Sequence, residues 1–137
     1  MEKTLFEKIA DREIPADIVY EDEWTLAFLD IKPVNPGHTL VITKKAYKNL
    51  LEVPPPDLHH LIETAQIVAR GVKDAMNADG VNVSFNNEKA AGQLIFHVHA
   101  HIIPRFEEDG FKGWNQSDYK EGEKAEVAEK IIAQMQK

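Results

Sequence analysis

Residues 97–103 read HVHAHII, which sets His97, His99 and His101 at every second position. In an extended chain, side chains at i and i+2 leave the same face about 6.6 to 6.8 Å apart. The imidazoles therefore form a row, and Val98, Ala100 and Ile102 turn toward a core. Three readings suit such a row. The histidines can face water from a half-buried strand. They can hold zinc or iron, because imidazole is the commonest metal ligand. They can perform nucleophilic catalysis on a phosphate ester or amide. Neutral imidazole is a competent nucleophile near its ordinary pKa of about 6.5, and its neighbours can donate to a phosphoryl oxygen. The metal reading lacks a complete ligand set: the chain has no Cys and no carboxylate interrupts the row. The nearest acids, Glu107, Glu108 and Asp109, lie in a charged run that reads as a solvated loop.

The elements that position the row are visible as hydrophobic periodicity. In TLFEKIADREIP, Leu5, Phe6 and Ile9 have helical spacing, and Pro15 stops the pattern. DIVYED, WTLAFLDI and HTLVIT are β-branched and aromatic runs separated by turn signals, which predicts an antiparallel meander. After PPP, Asp57 is the expected N-cap of a long helix, with a stripe of Leu58, Leu61, Ile62, Ala65, Ala69, Val72 and Met76 that NADG ends. VNVSF and LIFHVHAHII return to strand periodicity, joined by EKAAGQ, a loop short enough for a hairpin. The tail is irregular and acidic, and a last amphipathic helix carries Val127, Ile131 and Met135. His59 and His60 read as structural or solvent-facing. The EDE and EED runs read as solvated acids, since no apolar pocket separates their pKa values.

Composition narrows the function. A chain of 137 residues with 43% hydrophobic content fits one domain, residues 1–137, with a real core. The net charge of −7 argues against a general nucleic-acid surface, so any phosphate must be held locally by a pocket. The lack of Cys excludes disulfides, cysteine nucleophiles and thiolate zinc sites. No signal peptide and no apolar run of about 18 residues is present, so the expectation is a soluble cytoplasmic protein with no membrane partner.

HVHAHII resembles the signature of the histidine triad (HIT) superfamily of nucleotide hydrolases and transferases, His-φ-His-φ-His-φ-φ with φ apolar. LFEKIADREIPADIVYEDEWTLAFLDIKPVNPGHTLVI is similar to the family's N-terminal half, and NNEKAAGQLIFHVHAHIIPR to its active-site hairpin. The likeness runs from about residue 5 to residue 106, leaves 107–137 as an acidic loop and C-terminal helix, and is nearest the Hint branch. It implies an α+β HIT-like fold: an antiparallel sheet of about five strands, one long helix packed on it, and short N- and C-terminal helices. It implies that His99 attacks the α-phosphorus of a nucleotide, that the His97 carbonyl accepts from His99, and that His101 donates to the phosphate with His38 in support. Asn87 and Gln93 match positions that reach the phosphate. Asp30 matches the carboxylate that accepts from the ribose hydroxyls, and Phe6, Ile9, Phe28 and Ile31 match the walls around the base. The family further implies a homodimer, with the tail around Trp114 near an active site.

Two positions depart from the family pattern. Leu94 stands where relatives commonly carry Ser or Thr, whose hydroxyl helps protonate the leaving group. Glu7 stands where some bacterial members carry a zinc-ligating cysteine, so no metal or other cofactor is expected. Asp30 has an ordinary reading too, as a turn residue before KPVNPG, and the apolar wall residues are equally good core. The expected activity is hydrolysis or transfer on purine nucleoside 5′-phosphoramidates or related α-phosphate derivatives. A dinucleoside polyphosphate hydrolase of the Fhit type, or a nucleotide-dependent interaction module with weak catalysis, are the alternatives.

Overall fold

The computed structural model describes residues 2–136. Its first helix, α1 (Leu5–Ala10), starts at a capping box. The Thr4 hydroxyl accepts from the Glu7 N–H at 3.0 Å, and the Glu7 carboxylate accepts from the Thr4 N–H at 2.9 Å. The predicted meander follows as β1 (Ile18–Glu21), β2 (Thr25–Leu29) and β3 (Thr39–Thr43). With β4 (Gly80–Phe85) and β5 (His99–Arg105) these strands form one antiparallel sheet of five, in the order β1-β2-β3-β5-β4. β5 is therefore an inner strand, paired with β3 through His99 to Ile42 and His101 to Leu40, and with β4 through His101 to Ser84.

The architecture is α+β, as expected, and the sheet is buried on both faces. On one face α2 (Pro55–Ala75) lays Leu61, Ala65, Val68 and Ala69 against Ala27, Val41, Ala100 and Ile102. On the other, Phe6 and Ile9 of α1 cover Leu26, Phe28, Leu40 and Ile42. The pleat sends Ala100 and Ile102 toward α2 and the His99 and His101 side chains to the α1 side. The histidine row thus faces a second apolar layer and not open solvent.

Three expectations need correction. The long helix starts before Asp57: Pro54 is its N-cap, and Pro55 and Pro56 fill the first turn, where no N–H is required. Asp57 lies inside that turn, buried, and accepts from the Tyr47 hydroxyl at 2.6 Å. The predicted stripe is also too wide, since Ile62 is exposed and Thr64 and Val68 are buried instead. Finally, the β4–β5 connection is the whole of 86–98 and not EKAAGQ alone, because the ladder begins at His99. Side chains hold this segment off the sheet: Gln93 Nε2 donates to the carbonyls of Lys48 and Ile95, and Asn87 Oδ1 accepts from the Leu50 N–H.

The last helix, α3 (Glu123–Met135), forms where Val127, Ile131 and Met135 predicted it, with Ile131 and Met135 exposed. Among the described residues, no helix is long and apolar enough to cross a membrane.

The loop between β2 and β3 presents Asp30 and His38, and Gly37 sets its shape. Gly37 has φ +100°, and a Cβ there would lie 2.6 Å from Met76 Cγ and 3.3 Å from Pro104 Cγ. Gly37→Ala is expected to lose about 1 to 3 kcal/mol of stability, from the left-handed backbone and the crowding together. Urea unfolding measures it, and an unchanged midpoint would refute the constraint.

Candidate active site

The donor and acceptor roles of four histidines follow from their partners. The His99 Nδ1 lies 2.7 Å from the His97 carbonyl, which only accepts, so Nδ1 carries the proton and Nε2 is a free lone pair. On the other side, the Val34 N–H donates to His38 Nδ1 at 3.1 Å. A nitrogen that accepts is unprotonated, so the His38 proton is on Nε2, which stands 3.0 Å from His101 Nδ1 and donates to it. His101 then carries its own proton on Nε2. The row therefore holds one nucleophilic nitrogen, on His99, beside one donor, on His101, with ring centroids 4.9 Å apart.

Burial keeps these rings neutral. Loss of water pushes the pKa of His38, His97 and His99 below the ordinary value. His101 is pushed furthest, to about 4, by burial first and then by His99 and His38 beside it. At neutral pH the cluster is four uncharged imidazoles, the form in which His99 can attack.

His97 is the first residue of the motif and precedes the strand. Its Nε2–H donates to the Thr43 carbonyl at 2.7 Å, and its Nδ1 lies 2.6 Å from the Thr4 hydroxyl. It is completely buried, so its ring serves as framework and its carbonyl is the part that reaches His99.

The His99 and His101 rings open into a cavity of about 500 Å³. Phe6, Ile9, Phe28, Leu40 and Ile95 make most of its wall, and Asp30 and Lys32 mark its polar side. Phe6 meets Phe28 edge-on at 5.4 Å and His99 at 5.1 Å. Such a space takes a flat apolar ring at one end and an anion at the other. Ile31 and Leu94 sit at the rim, 91% and 85% exposed. A wider groove of about 650 Å³ near Phe106 lies away from the row, and its Arg105 and Asp109 already pair with each other.

Asp30 makes the turn contact that one of its sequence readings expected. Its Oδ1 accepts from the Lys32 N–H at 2.9 Å, a turn bond, while Oδ2 lies 3.7 Å from His38 Nε2. Asp30, His38 and His101 offer ligand atoms within 4.8 Å of one another. Within this set His38 Nε2 and His101 Nδ1 already share one proton, and Asp30 Oδ2 stands beyond hydrogen-bond distance of His38.

Asn87 and Gln93 do not line the cavity. Asn87 Oδ1 is occupied by the Leu50 N–H, and the buried Gln93 amide holds the backbone of its own loop and of Lys48. Asn86 lines it instead, together with Ile14, Pro15 and Ala16, none of which the sequence singled out. Trp114 is 94% exposed and does not line the cavity. Thr4, the partner of His97, was also missed. Its signal was local: TLFE has the Thr-x-x-Glu spacing of a capping box.

The HIT domain family matches residues 11–108. Protein hit of Bacillus subtilis is 38% identical over 138 residues, spanning 98% of this chain and 95% of that protein. Adenylylsulfatase HINT3 of Arabidopsis thaliana is 40% identical over 105 residues, spanning 77% of this chain and 53% of that protein. A crystal structure from Streptococcus mutans UA159 superposes with a TM-score of 0.92 at 40% identity, covering 98% of this chain and 87% of that one. A family match that contains the whole sheet and the histidine row, and relatives alike over nearly the full length, make this chain a member of the HIT domain family.

Proposed function

We propose that this chain is a nucleotidyl hydrolase or transferase that cleaves the α-phosphate substituent of a purine nucleoside 5′-phosphate derivative by covalent catalysis at His99. The observation that carries the proposal is the His99 Nδ1–H bond to the His97 carbonyl, which leaves Nε2 free beside the His101 donor. In the first step the Nε2 lone pair forms a bond to the α-phosphorus, and the bond from phosphorus to the leaving group breaks with its electron pair. The ring gains positive charge, which the His97 carbonyl stabilises through Nδ1–H. His101 Nε2–H donates to a phosphoryl oxygen, where charge builds in the transition state. In the second step water attacks phosphorus, the bond from phosphorus to Nε2 breaks with its electron pair returning to the ring, the water proton passes to solvent, and His99 is restored as the neutral Nδ1–H form.

The apolar wall of Phe6, Ile9 and Phe28 suits a purine, and Asp30 suits the ribose hydroxyls, since a carboxylate only accepts. Phosphoramidates and related α-phosphate derivatives are the substrate class. Among these, Leu94 favours leaving groups that depart as stable anions, because it places no hydroxyl at the rim to protonate an amine. The sulfate implied by the name of the Arabidopsis relative is such a group.

The assembly is a homodimer in this reading. β4 is an edge strand with one side unpaired, and Val83 on it and Ile62 beside it on α2 are exposed apolar groups. Pairing of two β4 edges across a two-fold axis covers them. Sedimentation is expected to give twice the 15.5 kDa chain mass, and a monomer at micromolar concentration would remove the dimer.

The nucleophile is tested by rapid quench with substrate radiolabelled in its α-phosphate. Acid-labile, base-stable label is expected on the wild-type protein and none on His99→Ala, with nucleotide binding largely kept. His101→Ala is expected to slow label transfer about 10²- to 10³-fold without preventing it. Full labelling of His99→Ala would sink the assignment.

Asp30 is tested by ligand pairs. Asp30→Ala is expected to weaken ribonucleotide binding by about 1 to 3 kcal/mol and to change 2′,3′-dideoxynucleotide binding much less. Calorimetric titration of both ligands decides it, and equal losses would leave Asp30 only its turn.

A further inference from the structure

One hydroxyl ties α1 to the histidine row. Thr4 Oγ1 accepts the Glu7 N–H and lies 2.6 Å from His97 Nδ1. The Thr43 carbonyl fixes the His97 proton on Nε2, so Nδ1 is a lone pair and the Thr4 hydroxyl is the donor to it. The carbonyl of that same His97 holds His99. The contact chain thus runs from a helix cap, through a buried neutral ring, to the nucleophile. The helix it caps also contributes Phe6, whose ring lies 5.6 Å from His97 and 5.1 Å from His99.

We propose that Thr4 is a positioning residue for the reaction: its hydroxyl holds His97 as the neutral Nε2–H tautomer and so sets the aim of His99 Nε2. The proposal rests on His99 as nucleophile. Through Thr4, the position of the α1 wall and the direction of attack are set together, so a nucleotide seated against Phe6 and Ile9 meets an aligned nitrogen. Without the hydroxyl, a fully buried lone pair has no partner. The ring then turns or takes up a proton, and its carbonyl moves with it. The charged or titratable groups that bear on His97 are Glu7 of α1, which favours its protonation, and His99 of β5, which opposes it.

Thr4→Asp separates positioning from capping. Asp caps a helix at least as well as Thr, so α1 persists. Its carboxylate cannot donate, however, so His97 Nδ1 must carry a proton, and with both nitrogens on acceptors the ring becomes an imidazolium. The ¹⁵N shifts of His97 are expected to report the neutral Nε2–H tautomer in the wild type and Thr4→Ser, and the imidazolium at neutral pH in Thr4→Asp. Turnover in Thr4→Asp is expected to fall about 10- to 100-fold, as for a misaligned nucleophile. The acid limb of its pH–rate profile should move to higher pH, because the new cation must be lost before His99 attacks freely. Thr4→Ser should stay within about threefold of the wild type, since it keeps the hydroxyl. If Thr4→Asp does not fold, Thr4→Val carries the test through a lowered kcat, with Thr4→Ser as its control. Wild-type turnover and pH profile in Thr4→Asp, or in Thr4→Val where that substitutes, would overturn the proposal, as would a His97 proton on Nδ1 in the wild type. The ¹⁵N signature does not depend on which residue attacks, so failure of the His99 assignment, read by the labelling experiment, is distinguishable from failure of the Thr4 role.

Discussion

The carbonyl of His97 accepts the Nδ1 proton of His99, and the chemistry proposed for this chain rests on that 2.7 Å contact. An imidazole has one proton and two nitrogens, so fixing one nitrogen as donor makes the other a nucleophile. A backbone carbonyl performs this task without a charge of its own. A carboxylate in its place would favour the imidazolium and remove the lone pair on which attack depends. The carbonyl must therefore be held firmly, and the His97 ring is held at both nitrogens, by Thr43 and by Thr4.

The second requirement is that neighbouring imidazoles differ in role while standing side by side. The fold meets it by approaching the row from two directions. His99 is set from the segment that leads into its strand, through the residue two positions before it. His101 is set from the β2–β3 loop, through Val34 and His38. Placing β5 inside the sheet, with α2 beneath and α1 above, dries the row and keeps every ring in it uncharged.

Period-two alternation was enough to read from the sequence which face of β5 carries His99 and His101 and which carries Ala100 and Ile102, because a pleat leaves no other arrangement. The meander and the long helix were legible for the same reason: they are periodic or locally punctuated. Phe6, Ile9, Phe28 and Ile31 were placed at the cavity by the family resemblance, since periodicity alone reads such residues equally well as core. Segment 86–98 was not. Its course is decided by contacts such as Gln93 to Lys48, 45 positions away, which have no local signature. The amides of Asn87 and Gln93 are drawn into that framework, while Asn86 reaches the cavity. Thr4 was half legible: its capping spacing is local, but its partner His97 lies 93 residues on. Asp57 was misplaced because a proline run can itself open a helix.

The uncharged imidazole cluster makes folding a proton-releasing event in mild acid. Each of these histidines binds protons more weakly in the folded chain than in the unfolded one, where the ordinary value of about 6.5 holds. Above that pH both states are neutral there and the cluster is indifferent to pH. Below it the unfolded chain takes up protons that the folded chain refuses, so stability declines as pH falls. For His101 the decline continues to about 4, where the folded ring also protonates. Each histidine in this state steepens the loss by at most about 1.4 kcal/mol per pH unit. The dryness that leaves His99 uncharged at neutral pH thus also draws on the stability of the native state in mild acid, so the state of the site and the durability of the fold share one titration.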